Sequence, residues 1–140
     1  NRKSIWSLTK NSKTQSSENP LTGQGLSSMK DEIRKCLIDI LQAAEEIESF
    51  VRGMDFEAYQ NSPVTQRAVE RNFEIIGEAL NRIKNMNDGL LEKVSEHHRI
   101  IGFRNILIHG YDIIDEAIVW KATTDHLPIL VEEIKEISKV

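Results

Sequence analysis

An all-α fold, a bundle of four to five helices in up-and-down order forming one domain, is what this sequence predicts, on three observations. Apolar residues recur every three or four positions through several long stretches, the repeat of a helix that buries one face. No stretch alternates apolar and polar residues for long, as a half-buried strand would. With 140 residues and 39% hydrophobic content, the chain is long enough for one modest core and too short for two.

Residues 1–28 are rich in Ser, Thr, Asn and Gln, carry Pro20, Gly23 and Gly25, and show no sustained periodicity. They read as a polar tail, either a native extension or a remnant of expression, with the domain spanning 29–140 and starting at Met29. Gly23-Gln24-Gly25 is not a dinucleotide loop, because Ser28 stands at the third glycine position and no strand precedes it.

From Met29 to about Arg52, the residues Ile33, Leu37, Ile40, Ala44, Ile47 and Val51 form a narrow apolar seam at four-three spacing, and Gly53 ends the helix. Cys36 falls on this core face, as a small buried hydrophobe; as the single cysteine it forms no internal disulfide. Phe56 and Tyr59, in the link that follows, are placed to cover one end of the core. Ser62 and Pro63 supply an N-cap and a first-turn proline for a second helix. Its stripe is Val69, Phe73, Ile76, Leu80 and Ile83, which matches the first seam and predicts that the two helices pack together.

Arg71, Glu74, Glu78 and Arg82 lie on the other side of this helix and read as a solvated face of weak ion pairs. Gly77 in mid-helix costs about 1 kcal/mol relative to alanine, and a close helix approach or a partner contact would justify it. Asn87, Asp88 and Gly89 break the chain before a third helical stretch that runs to His109. A last helix is expected from near Asp115 to Lys139, with Leu127, Leu130, Ile134 and Ile137 inward and a kink at Pro128.

Charge narrows the function classes. Arg2, Lys3, Lys10 and Lys13 against Glu18 give residues 1–28 a charge of +3, so the formal total of −4 leaves −7 for residues 29–140. An acidic domain does not coat nucleic acid non-specifically, although a local basic site can hold a phosphate. No apolar run is long enough to span a membrane, and a cytoplasmic location is expected. His97 and His98 are adjacent and expected to project in different directions, and His126 stands alone, so neither a metal nor another cofactor is expected.

The chemistry concentrates between Ile100 and Asp115, where Arg104, His109 and Tyr111 sit among aliphatics. On a helix turning about 100° per residue, His109 points about 140° away from Arg104 but lies above Asn105, four residues back. Gly110 is placed to stop the helix, which leaves Tyr111 outside the regular turn. A site using all three residues needs the helix end, a kink, or a second copy of the helix from another subunit. The last is favoured.

The spacing of Arg104, four residues, His109, one residue, Tyr111 resembles the signature of HEPN-domain ribonuclease toxins of the HepT type, and Arg104-Asn105 with Ile108-His109-Gly110-Tyr111 matches it closely. Upstream, Arg67 to Arg71 leading to Ile75-Ile76-Gly77-Glu78-Ala79 resembles the family's second helix. Val119-Trp120 with Leu127-Pro128 resembles its last. One departure is Glu96-His97-His98-Arg99, where a proline and a tryptophan are expected.

The resemblance implies the toxin of a toxin–antitoxin pair: a metal-independent endoribonuclease whose partner is a minimal nucleotidyltransferase antitoxin. RNA carries its own nucleophile, the 2′-hydroxyl, so the enzyme need only move protons and stabilise charge on the phosphate. His109 is the candidate general base or acid, since a histidine serves both protonation states near neutrality. Arg104 is the candidate phosphate clamp through its planar fork. Asn105 is expected to orient His109 or the phosphate, and the product is a 2′,3′-cyclic phosphate. The resemblance further implies a homodimer with a composite active site, and adenylylation of Tyr111 by the antitoxin, which places a bulky anion where the substrate phosphate would bind. The alternative is a non-catalytic nucleotide- or substrate-binding subunit of a nucleotidyltransferase complex, with Arg104 and His109 holding a phosphate.

Overall fold

The computed structural model describes residues 23–109 and 114–139, with side chains from Met29 onward. Among these the chain is helical and contains no strand: α1 (Gly23–Val51), α2 (Phe56–Gln60), α3 (Pro63–Met86), α4 (Asp88–Leu91), α5 (His97–His109), α6 (Glu116–Lys121), a π-helical segment (Ala122–His126) and α7 (Leu127–Ser138). The helix expected from Met29 thus begins six residues earlier, at Gly23. Of the tail expected in residues 1–28, residues 1–22 lie outside the described residues.

The all-α bundle predicted from the spacing is the fold observed. The seams of α1 and α3 pack along each other, α3 carries α5 on another face, and α7 packs on α1. Ile40, Ala44 and Ile47 of α1 are completely buried, as are Val69, Ile76, Leu80 and Ile83 of α3 and Leu130 and Ile134 of α7. Cys36 is buried beside them. Gly53 ends α1 with φ +79°, a left-handed conformation that suits glycine.

Local chemistry sets the remaining boundaries. Asp55 accepts a hydrogen bond from the Ala58 N–H at 2.8 Å to start α2. Ser62 caps α3 through the Thr65 N–H, with Pro63 in the first turn. Tyr59, fully buried, and the half-buried Phe56 close one end of the core against Trp120, with ring centroids 5.2 and 6.3 Å away.

The third helical stretch is not continuous as expected. Asn87 caps the one-turn α4 through the Leu90 N–H, and the chain then turns before α5 begins at His97. Leu91 and Val94 are buried in this interruption and hold it on the core. The last helix also differs from a simple kink. Pro128 lacks an N–H and its ring crowds the preceding turn. The backbone answers with the π segment, in which the Leu127 N–H reaches back to the Ala122 carbonyl.

The expected solvated face of α3 is corrected by the structure. Arg71 is exposed, but Glu74 is buried and Glu78 is half-buried beneath α5. Arg82 bonds to Glu32 of α1, not to Glu78. The reason is that α3 is central, with helices on more than one side, so that side of it is also an interface.

Candidate active site

The site is built where α5 crosses α3. A Cβ added at Gly77 would lie 2.3 Å from the Cβ of Arg104 and 2.8 Å from its Cγ. Only glycine therefore allows the root of the Arg104 side chain to rest on the α3 backbone. This is the close approach that a mid-helix glycine predicts.

From that position Arg104 extends between the helices and is only 6% exposed. One terminal nitrogen donates to Glu78 Oε2 at 3.1 Å and the other to Asn105 Oδ1 at 2.7 Å. Burial lowers the guanidinium's pKa from its ordinary value, while Glu78 and then Glu74 pull it back up. Arginine stays protonated throughout the accessible range, so these carboxylates balance a permanent charge. Glu74 is shared with α3's own Arg71, at 3.5 Å.

His109, the last residue of α5, is exposed. Arg104 and His109 thus face different ways along one helix, the first toward α3 and the second toward solvent. Within a single chain the structure does not bring them together. Asn105, expected to orient His109 or a phosphate, accepts a hydrogen bond from Arg104. Tyr111 and Gly110 lie outside the described residues.

His97 and His98 depart from expectation, since their ring centroids are 3.9 Å apart and tilted by 39°. Both occupy the first turn of α5, where His97 Nδ1 lies 2.8 Å from the Val94 carbonyl and its ring turns toward its neighbour. Among the described residues no group of three His, Cys, Asp or Glu side chains is arranged to hold a metal ion, and no helix is long and apolar enough to cross a membrane.

Sequence reasoning missed two sets of residues. Periodicity places Glu74 and Glu78 toward solvent, although Gly77 between them signals a close helix approach. The second set is Tyr59, Glu70 and Glu116. The Tyr59 hydroxyl donates to Glu116 Oε1 at 2.8 Å, joining α2 to the first turn of α6. Burial, together with Glu70, pushes the Glu116 carboxyl up to about 7, against the pull of the Tyr59 hydrogen bond. Burial and then Glu116 likewise raise the Tyr59 hydroxyl. No local signal pairs these residues, because Tyr59 and Glu116 are 57 positions apart.

The sequence profile described as Ribonuclease HepT-like matches residues 40–137. A protein of Caldanaerobacter subterraneus subsp. tengcongensis, named as a candidate RNase, is 38% identical over 106 residues, 74% of this chain and 92% of the relative. A candidate RNase of Methanocaldococcus jannaschii is 33% identical over 108 residues, 76% of this chain and 96% of the relative. A Thermococcus cleftensis protein named as a probable ribonuclease HepT is 34% identical over 111 residues, 79% of this chain and all of the relative. No solved structure matches the chain significantly. The profile takes in the whole of α3 and α5, including Gly77, Glu78, Arg104, Asn105 and His109, and the chain belongs to the HepT-like ribonuclease family.

Proposed function

We propose that this chain is the toxin of a toxin–antitoxin pair, a metal-independent endoribonuclease in which His109 moves the proton and Arg104 holds the scissile phosphate. The observation that carries this reading is the fixed Arg104, held by Gly77, Glu78 and Asn105 in a chain of ribonuclease ancestry, with the exposed His109 five positions on. A guanidinium whose position is set by packing binds phosphate oxygens without first losing its own freedom. His109 then acts on the 2′-hydroxyl and the departing 5′-oxygen, leaving a 2′,3′-cyclic phosphate.

Since Arg104 and His109 diverge on one helix, the working site is composite, formed in a homodimer where α5 of each subunit faces a shared cleft. A minimal nucleotidyltransferase antitoxin switches it off in the cytoplasm by adenylylating Tyr111, which adds charge and bulk beside His109. The buried pairing of Arg104 with Glu78 favours a second reading, a non-catalytic subunit that binds nucleotide for such a transferase, because a neutralised arginine is less available to substrate.

The test is to purify the chain alone and with its nucleotidyltransferase, measure intact mass, and assay RNA cleavage with His109→Ala as control. His109-dependent cleavage giving cyclic-phosphate ends, lost when adenylate mass appears on Tyr111, is the expected result. Absence of cleavage by unmodified chain would replace the toxin reading with the binding subunit.

A further inference from the structure

A cavity of about 460 Å³ opens between α5 and the α6–π segment. This size falls in the range of small-ligand pockets. Phe103, Ile106, Ile118 and Leu127 line it, with Phe73 behind, where Phe73 and Phe103 meet edge to face at 5.3 Å. Ile106 and Ile118 are more than half exposed, at 58% and 57%, so the apolar wall continues to the surface.

Two features indicate what fits there. The rim is polar, with Arg99 exposed on the α5 side, Lys121 exposed on the α6 side, and His98 and His126 also lining the cavity. Arg99 is braced by Glu96 at 2.9 Å, whose carboxylate also approaches His126 at 3.8 Å. Arg99 is thus largely balanced by Glu96, and the exposed Lys121 supplies the remaining positive charge at the edge of the hollow. The second feature is Gly102. A Cβ added to it would meet nothing within 4 Å, so nothing in the packing of α5 requires glycine, although glycine weakens the helix. Its missing side chain enlarges the cavity.

The position on α5 connects the cavity to the candidate chemistry. Gly102 precedes His109 by seven residues, two turns of helix, and the two point within about 20° of each other, while Gly102 points about 160° from Arg104. Ile106 lies on the same side, one turn before His109.

We propose that this cavity is a nucleobase subsite: it takes one unstacked base of the RNA, with an adjoining phosphate on Lys121, and so sets the register of the strand at His109. An apolar hollow gives an unstacked base a surface on which to leave water, and the exposed Lys121 at its edge meets the backbone phosphate. The proposal rests on the ribonuclease reading for its role, but its binding test does not require cleavage.

Short 2′-O-methyl oligo-A, oligo-C and oligo-U strands, which lack a free 2′-hydroxyl, are titrated by fluorescence anisotropy beside an abasic 2′-O-methyl strand of equal length. The wild type should prefer at least one base-bearing strand over the abasic one by about 10-fold, the gain from burying roughly 55 Å² of base surface at about 25 cal/mol per Å². Gly102→Leu fills the hollow and should bring that strand down to the abasic affinity. Lys121→Glu, on an exposed residue, should weaken both strands alike and flatten the salt dependence. Equal binding of base-bearing and abasic strands by the wild type, or an undiminished preference in Gly102→Leu, would overturn the proposal. So would loss of self-association in Gly102→Leu, by sedimentation, with base preference retained, which would make the cavity a seat for a second copy. If base preference behaves as expected while no His109-dependent cleavage is found, the subsite stands and the ribonuclease mechanism falls.

Discussion

Two glycines in neighbouring helices should respond to the same substitution with opposite signs. Replacing glycine by alanine inside a helix is worth about 1 kcal/mol in favour of alanine where nothing else changes. At Gly102 nothing lies within 4 Å of the added Cβ, so Gly102→Ala should stabilise by about that amount. At Gly77 the new methyl would sit 2.3 Å from Arg104 Cβ, against 3.4–4 Å for ordinary contact, so the helices must part by about 1 Å. The obstacle is the root of a side chain fixed to the α5 backbone, which does not swing aside. Overpacking of this kind costs about 1–3 kcal/mol and occasionally more, so the helical gain is cancelled or exceeded and Gly77→Ala should lose up to about 2 kcal/mol. The difference between the variants is then about 1–3 kcal/mol, and each kcal/mol moves Tm by about 4 °C in a domain of this size. Calorimetric melts of both variants at one pH and one protein concentration measure it. Equal stabilisation by the two substitutions would refute the close approach of α5 to α3.

Further outcomes follow from the other contacts. Arg104→Met should destabilise by about 3 kcal/mol in denaturant melts, since it removes the guanidinium that Glu78 bonds beneath α5, and Arg104→Met with Glu78→Met should recover much of the loss. His109→Ala should leave Tm unchanged, because the residue is exposed, while lowering RNA cleavage by about 10²- to 10⁴-fold. The Glu116 carboxyl is pushed up to about 7 in the folded chain, so the folded state holds a proton that the unfolded state releases at lower pH. Its contribution is therefore complete at acidic pH and is lost as pH rises toward about 7. Allowing for partial exposure it amounts to about 1–2 kcal/mol. Glu116→Gln should flatten the decline of Tm across that range, and an unchanged profile would show that another group carries it.

Periodicity was sufficient for the helices and the core they share, because each buried face repeats within a single element. The seams of α1 and α3 and the caps at Ser62 and Gly53 were legible for that reason. What sequence could not supply was the third dimension of α3. Amphipathic periodicity divides a helix into one buried and one wet face, whereas α3 has neighbours on more than one side, so Glu74 and Glu78 lie away from water against that division. Gly77 held the correcting signal, in the only residue type that lets another side chain lie on a helix backbone. Arg104, Asn105 and His109 were legible as candidates from their spacing. Their divergence on α5 was legible too, as simple rotation. The Tyr59–Glu116 bond and the cavity beside Gly102 depend on segments far apart in the chain, and nothing local encodes them.

The π segment before Pro128 has a consequence for how this helix tolerates length changes. Along an uninterrupted α-helix, Val119 and Leu127 would point about 80° apart, yet both are buried in the same core. One residue taken up by the wider turn removes about 100° of that rotation and brings the two within about 20°. The segment is thus a phase corrector, an extra residue absorbed without turning the following apolar stripe away from α1. A chain lacking one residue between Ala122 and His126 would be set in phase by a plain α-helix and lose the bulge, whereas a chain lacking one residue further along α7 would carry Ile134 and Ile137 out of the core. Tolerance to deletion in this helix is therefore a property of one turn, and that turn forms a wall of the cavity.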